Sequence, residues 1–149
     1  MASRYGLTVR AVNAGDAAGI GELLAASGRR LDSHNLAGRL DALQHQQGVA
    51  LVALEWGPPS GLIILHWYQT LEAAQPVAQV TSLLVAPDAR RRGIGRLLLK
   101  AAAQAARLAG CGEMHLQASA DRLELQAFCH ATGFEPTGTG FMRPLRKKA

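Results

Sequence analysis

The stretch VAPDARRRGIGRLLLKAA, residues 85–102, places three consecutive arginines and two glycines between an apolar run and a helix-like pattern. The first turn of a helix carries unpaired backbone N–H groups and a partial positive charge. Glycine lets the backbone adopt a positive φ and approach a ligand closely, and arginine adds charge-assisted hydrogen bonds. These features predict an anion site suited to a pyrophosphate, although an ordinary solvated turn would use the same residue types.

Two familiar phosphate-binding motifs do not fit this stretch. A P-loop ends in Gly-Lys-Ser or Gly-Lys-Thr, which the stretch lacks. A dinucleotide fingerprint has a third glycine three residues after the second, but Leu98 follows Gly95 at that spacing. What remains is the pattern Arg-x-x-Gly-x-Gly, which begins at Arg90 and follows a long apolar strand pattern.

Length and composition indicate one ordinary domain that spans residues 1–149. With 48% hydrophobic residues, the chain can fill a core without metals or disulfides. The net charge of +5 and the pI near 9.9 suit nucleic acid, an anionic surface or a phosphorylated small molecule. Aromatic residues make up only 5% and no nucleic-acid-binding module is recognisable, so we expect no nucleic acid partner.

The two cysteines, Cys111 and Cys129, show no zinc-ligand spacing, and we expect no metal. No apolar run reaches the roughly 18 residues that span a bilayer, so we expect no membrane partner. The opening MASRYGLTVRAV lacks the apolar core of a signal peptide. These observations favour a reducing cytoplasm.

Alternating and helical hydrophobic patterns predict a mixed α/β fold. The predicted element order is β-α-α-β-β-β-α-β-α-β, which favours a central mixed sheet of about six to seven strands flanked by about four helices. The predicted strands cover 7–12, 49–55, 62–68, 77–85 and 114–118, with a hairpin-like strand pair over 134–145. The predicted helices cover 16–27, 32–46, 93–108 and 121–132.

The stretch LLVAPDARRRGIGRLLLKAA, residues 83–102, resembles the acetyl-CoA-binding motif of the GCN5-related N-acetyltransferases, whose core pattern is Arg/Gln-x-x-Gly-x-Gly/Ala. The likeness extends to VRAVNAGDAAGIGELL near the start and to AFCHATGFEPTG near the end, and the element order is similar. The segment GLIILHWYQTLEAAQPVAQVTSLLV is similar to aminoalkylphosphonate acetyltransferases within that family. The resemblance implies a GNAT fold and acetyl-CoA as a cosubstrate.

The resemblance also implies roles for individual residues. The arginine-glycine turn would hold the pyrophosphate of coenzyme A, chiefly through backbone N–H groups. The end of the long strand would offer main-chain groups to the pantetheine arm where two parallel strands splay, and an N–H near Leu84 would polarise the thioester carbonyl. The implied coenzyme-binding residues are Leu83, Leu84, Val85, Arg90, Arg91, Arg92, Gly93, Ile94, Gly95, Arg96, Ser119, Arg122 and Phe128.

Two positions depart from the family pattern. The tyrosine that usually protonates the leaving thiolate is replaced by Cys129, which either packs inertly, acts as the acid, or leaves protonation to water. Ser82 stands where the similar aminoalkylphosphonate enzymes carry a glutamate base. The remaining candidates for the general base are His66, Glu72 and an ordered water.

Two functions fit these residues. The first is acetyl transfer from acetyl-CoA to a small primary amine by direct attack in a ternary complex. The second is an acyl-CoA-binding or regulatory module of the same fold with weak catalysis, which the missing tyrosine and glutamate favour. No motif identifies the acceptor, and a homodimer is expected from the resemblance alone.

Overall fold

The computed structural model describes residues 3–4, 6–90, 92–138 and 140–146. The chain divides into two compact units, Met1–Gln117 and Ala118–Ala149. The elements of the first unit are β1 (Ser3–Arg4), β2 (Leu7–Ala11), α1 (Ala17–Ala26), α2 (Ser33–Gln44), β3 (Gly48–Leu54), β4 (Gly61–Tyr68), β5 (Val77–Val85), α3 (Ile94–Leu108) and β6 (Glu113–Leu116). The second unit contains α4 (Leu123–Ala131).

The first unit is built on a mixed sheet with the strand order β1-β2-β3-β4-β5-β6. Neighbouring strands run antiparallel from β1 to β5, whereas β5 and β6 run parallel. Within the described ranges, five strands of four to nine residues form this sheet, and the two-residue β1 extends its edge. The predicted mixed α/β fold with a central mixed sheet and four α-helices is therefore confirmed.

One predicted element is wrong. The hairpin-like strand pair expected over 134–145 does not form, because residues 134–138 and 140–146 contain no strand. Pro136 and Pro144 cannot donate to a sheet ladder, and Gly138 adopts a φ of +55°, so the local sequence opposes extended pairing. The predicted strand over 77–85 agrees with β5 at both ends.

Helices cover both faces of the sheet. On one face, α1 and α2 close an apolar cluster with alternate residues of β4; its members are Val12, Ile20, Leu23, Leu36, Leu40, Val52, Leu62 and Ile64. The intervening residues of β4, Ile63 and Leu65, are also buried, and α3 contacts β3 and β4. Because both faces of β4 are covered, its sequence is a continuous apolar run rather than an alternating one.

A buried carboxylate fixes the start of α1. Asp16 is 6% exposed and accepts hydrogen bonds from Arg10 Nη1 and Nη2 at 2.8 Å each and from the Asn13 N–H at 2.9 Å. The hydrogen bonds from Arg10 lower the pKa of Asp16, although burial acts in the opposite direction. The pair joins β2 to α1 and so holds the helix on the sheet. At the next helix, Asp32 caps α2 by accepting from the Asn35 N–H at 2.8 Å, as a plain helix cap would.

Candidate coenzyme site

The turn between β5 and α3 presents the N-terminus of a long helix. Residues Pro87–Ala89 form a short 3-10 helix, and Gly93 is the N-cap of α3. The first intrahelical hydrogen bond runs from the Leu97 N–H to the Gly93 carbonyl at 3.0 Å. The N–H groups of the three preceding helical residues therefore have no acceptor within the helix. No acidic residue lies in this first turn, so the positive end of the helix dipole is not offset there.

Gly93 has the left-handed conformation that the turn requires. Its φ is +78° and its ψ is +12°, a region that side chains with a Cβ adopt only at a cost. A Cβ built at this position meets no atom within 4 Å. The glycine therefore serves the backbone conformation, and the space beside it is open to a ligand that approaches the main chain.

The arginines of the turn have different surroundings. Arg90, Arg92 and Arg96 are exposed, and Arg91 lies outside the described residues. Arg92 Nη2 forms an ion pair with Oε1 of Glu55, the residue that directly follows β3. The predicted cluster of phosphate-binding arginines thus includes one whose charge is already compensated by a carboxylate.

A gap opens between the parallel strands beside this turn. β5 and β6 pair from Val77 and Glu113 to Val80 and Leu116, where β6 ends. β5 continues to Val85 along β4 alone, and its register with β4 shifts at Ile64/Leu65. The far half of β5 therefore has one edge with which no described strand pairs. The predicted separation of two parallel strands at this point requires such an edge.

Alternation along β5 decides which amides face this open edge. The Ala86 N–H donates to the Ser60 carbonyl at 2.8 Å, on the side of β4. In an antiparallel ladder every second residue turns its N–H and C=O to the same neighbour. Leu84 consequently faces β4, where it lies opposite Leu62, while Leu83 and Val85 turn their N–H groups to the open edge. The Leu84 N–H, predicted to polarise the thioester carbonyl, is therefore turned to β4 and not to the open edge.

The base candidates lie at different places. His66 is half-buried on β4, in register with Gln79, and Glu72 is exposed in the connection between β4 and β5. Ser82 is half-buried opposite Ile64. Because His66 and Ile64 share a face of β4, His66 and Ser82 lie diagonally from one another across the register shift at Ile64/Leu65. The register brings His66, and not Glu72, near Ser82.

The other predicted residues belong to the second unit. Ser119 is exposed and donates from Oγ to Asp121 Oδ1 at 2.6 Å, and Arg122 is the N-cap of α4. Phe128 and Cys129 are half-buried on α4. Burial raises the pKa of the Cys129 thiol, which keeps it protonated at neutral pH.

Sequence reasoning missed Glu55. It lies 37 positions before Arg92, ahead of the turn Trp-Gly-Pro-Pro-Ser, and no local pattern marks it. A pairing at this separation becomes visible only when the β3–β4 hairpin is placed beside the turn. Among the described residues, no group of His, Cys, Asp and Glu is arranged as a metal site. No helix in those same ranges combines the length and apolarity needed to cross a membrane.

Comparisons with known proteins agree with this geometry. The model of the acetyltransferase (GNAT) family matches residues 20–134, which is most of the chain. No curated protein matches the sequence. An acetyltransferase from Trypanosoma brucei is similar in structure, with 22% identity, a TM-score of 0.78, and coverage of 93% of this chain and 99% of that one.

Two further solved structures share the fold. Glucosamine-6-phosphate N-acetyltransferase from Arabidopsis thaliana has 15% identity and a TM-score of 0.80, covering 94% of this chain and 99% of its own. AAC(6')-Iy, solved with a bisubstrate analogue that contains CoA, has 23% identity and a TM-score of 0.79, covering 95% and 99%. At these identities the likeness to each structure establishes the fold and leaves the acceptor open.

Proposed function

Because the chain belongs to the acetyltransferase (GNAT) family, we propose that it transfers an acetyl group from acetyl-CoA to a primary amine of a small acceptor, as a single domain over residues 1–149. The observation that carries the proposal is the adjacency of two features on one strand-turn-helix unit. The unpaired amides that open α3 suit a diphosphate, and the unpaired edge of β5 begins at the other end of the same turn.

The residues present fit coenzyme A. The first-turn amides of α3 would donate to the diphosphate, and exposed Arg96 would add a charge-assisted contact. The pantetheine arm would lie along the unpaired edge of β5. The N–H groups of Leu83 and Val85 would bond to it, and one of them would donate to the thioester oxygen. Such a donor stabilises the negative charge that develops on that oxygen, an effect worth about 3–4 kcal/mol.

The chemical step needs a neutral amine. Its nitrogen attacks the thioester carbon, the carbon–sulfur bond breaks, and the coenzyme leaves as a thiolate. We propose that His66 accepts the amine proton through one ordered water, since it lies diagonally across from Ser82 at the position of the missing glutamate. Glu72 remains a weaker candidate because it is exposed in a connection.

Protonation of the leaving thiolate does not require Cys129. A coenzyme thiol has an ordinary pKa of about 8.5, and burial raises the pKa of the Cys129 thiol. Transfer of a proton from Cys129 to the thiolate would therefore run uphill, and S–H is a weak donor. We propose that water supplies this proton and that Cys129 is a packing residue.

Two measurements test the proposed function. Titration calorimetry with CoA should show one site per chain, and release of free thiol from acetyl-CoA should depend on an added amine. A panel of aminoglycosides, amino sugar phosphates, amino acids, polyamines and aminoalkylphosphonates covers the open acceptor classes. If CoA binds but no amine in the panel causes acetyl-CoA to release free thiol, the result would favour the alternative, an acyl-CoA-binding module. The absent tyrosine and glutamate support that alternative.

A further inference from the structure

The β3–β4 hairpin packs against the turn between β5 and α3. The Ala86 N–H, at the start of the turn, donates to the Ser60 carbonyl of the hairpin at 2.8 Å. A Cβ built on Gly61 would lie 2.9 Å from Ile94 Cγ2 and 2.9 Å from Leu98 Cδ1, so the hairpin also packs closely on the first turns of α3. The two ends of the turn are thus fixed to the same hairpin.

The Glu55–Arg92 ion pair ties the residue before the N-cap of α3 to that hairpin. Glu55 is 22% exposed and Arg92 is 48% exposed. Glu55 Oε1 is itself buried and, within the described part of the chain, accepts no hydrogen bond from any other group. A buried carboxylate oxygen needs a counter-charge, so the guanidinium of Arg92 is held toward the hairpin rather than released to solvent.

We propose that Glu55 is a positioning residue for coenzyme binding, which acts by holding Arg92 and so fixes the turn that presents the first amides of α3. This inference rests on the proposed function. It assigns Arg92 a different role from that of a phosphate ligand, because its charge is compensated by Glu55. Arg96, exposed on the first turn of α3, would then be an arginine that contacts the diphosphate directly.

The sign of two charge changes distinguishes these roles. Glu55→Gln raises the net charge by one and Arg92→Gln lowers it by one, so their electrostatic effects on an anionic ligand are opposite. If the pair acts by positioning, either change loosens the turn, and each weakens CoA binding by about tenfold, within the usual coupling range of a contacting pair. The double variant should bind CoA with an affinity no lower than that of the single variant that binds CoA more weakly.

The experiment is titration calorimetry of the full chain with CoA and, in parallel, with pantetheine, which lacks the diphosphate. Glu22→Gln is the matched control, since it removes the same charge from an exposed residue of α1, and it should stay within twofold of the unchanged protein. The losses in Glu55→Gln and Arg92→Gln should appear with CoA and be absent with pantetheine. A general structural defect would weaken both ligands.

Several outcomes would overturn the proposal. Tighter or unchanged CoA binding by Glu55→Gln, together with weaker binding by Arg92→Gln, would make Arg92 a direct phosphate ligand. Additive losses in the double variant would also contradict a shared role. If Arg92→Gln does not fold, Glu55→Gln and the double variant still decide the question. An unchanged protein that binds no CoA would instead refute the proposed function, and this inference with it.

Discussion

At the scale of single residues, Gly93 combines a conformational and an electrostatic requirement. Its φ of +78° favours glycine, and in the proposed function its lack of a side chain leaves the positive N-terminus of α3 open to an anionic ligand. Gly110 provides a matched comparison at the other end of the same helix, with a φ of +87° and no atom within 4 Å of a built Cβ. The two glycines share the positive φ and the open space beside it, and they lie beyond opposite ends of α3.

We expect Gly93→Asp to abolish detectable CoA binding, because it places a carboxylate where the diphosphate would lie. Gly110→Asp carries the same strain, about 1–2 kcal/mol, and should bind CoA normally. Calorimetry gives the affinities and thermal melting gives the stabilities of both variants. Equal losses of affinity in the two variants would mean that strain, and not the anion site, explains the effect.

Cys129 allows a second test at this scale. Burial raises the pKa of its thiol and also that of Cys111. In a Cys111→Ser background, iodoacetamide should therefore alkylate Cys129 more slowly at pH 8 than it alkylates free cysteine, because the thiolate is the reactive form.

Cys129→Ala should lower turnover less than threefold. A drop of tenfold or more at unchanged stability would restore the general acid role.

At the scale of elements, α1 depends on the Arg10–Asp16 pair for its position on the sheet. Asp16→Asn should destabilise the protein by about 2–3 kcal/mol, since it removes charge-assisted hydrogen bonds at a buried site. Asp41→Asn, on an exposed position of α2, should change stability by less than about 0.5 kcal/mol. Urea unfolding of the two variants measures the difference.

The same pair predicts a pH dependence. The folded-state pKa of Asp16 is lowered, so its contribution to stability is complete above the ordinary carboxyl pKa of about 3.9 and is lost as the pH falls through the lowered value. The stability difference between the unchanged protein and Asp16→Asn should therefore shrink on acidification below about pH 4. A difference that stays constant down to pH 2 would show that the ionised form of Asp16 is not the stabilising one.

At the scale of the whole molecule, the two compact units raise the question of cooperativity. The family match covers residues 20–134 and so includes parts of both units. We expect one domain, in which the most protected amides of β5 and of α4 exchange with the same free energy of opening. Hydrogen exchange measured by mass spectrometry tests this, and a markedly lower free energy in α4 would instead indicate two domains.

The same hydrogen-exchange measurement can be repeated in the presence of acetyl-CoA. At 100 times its dissociation constant, a ligand that binds only the folded state adds about 2.7 kcal/mol of stability. In a single domain this increment should appear in β5 and in α4 alike. Protection confined to β5 would place ligand binding in the first unit alone.

The sequence by itself determined the mixed α/β class and the bounds of β5, and it marked the start of α3 as a candidate anion site. These follow from local physics: hydrophobic period, strand propensity, and the pairing of glycine with arginine ahead of a helix are all readable within about twenty residues. The same locality explains why the pattern over 134–145 misled, since short apolar pieces there are interrupted by proline and glycine.

Only the tertiary structure decided which amides of β5 face the open edge, because that depends on the register with β4 and on where β6 ends. It also brought Glu55 to Arg92 and placed His66 diagonally from Ser82. Each of these contacts joins residues that are far apart in sequence, and their formation depends on the pairing of whole strands. No local pattern encodes such a pairing. The sequence around a residue therefore does not predict a contact with a partner that is distant in the chain.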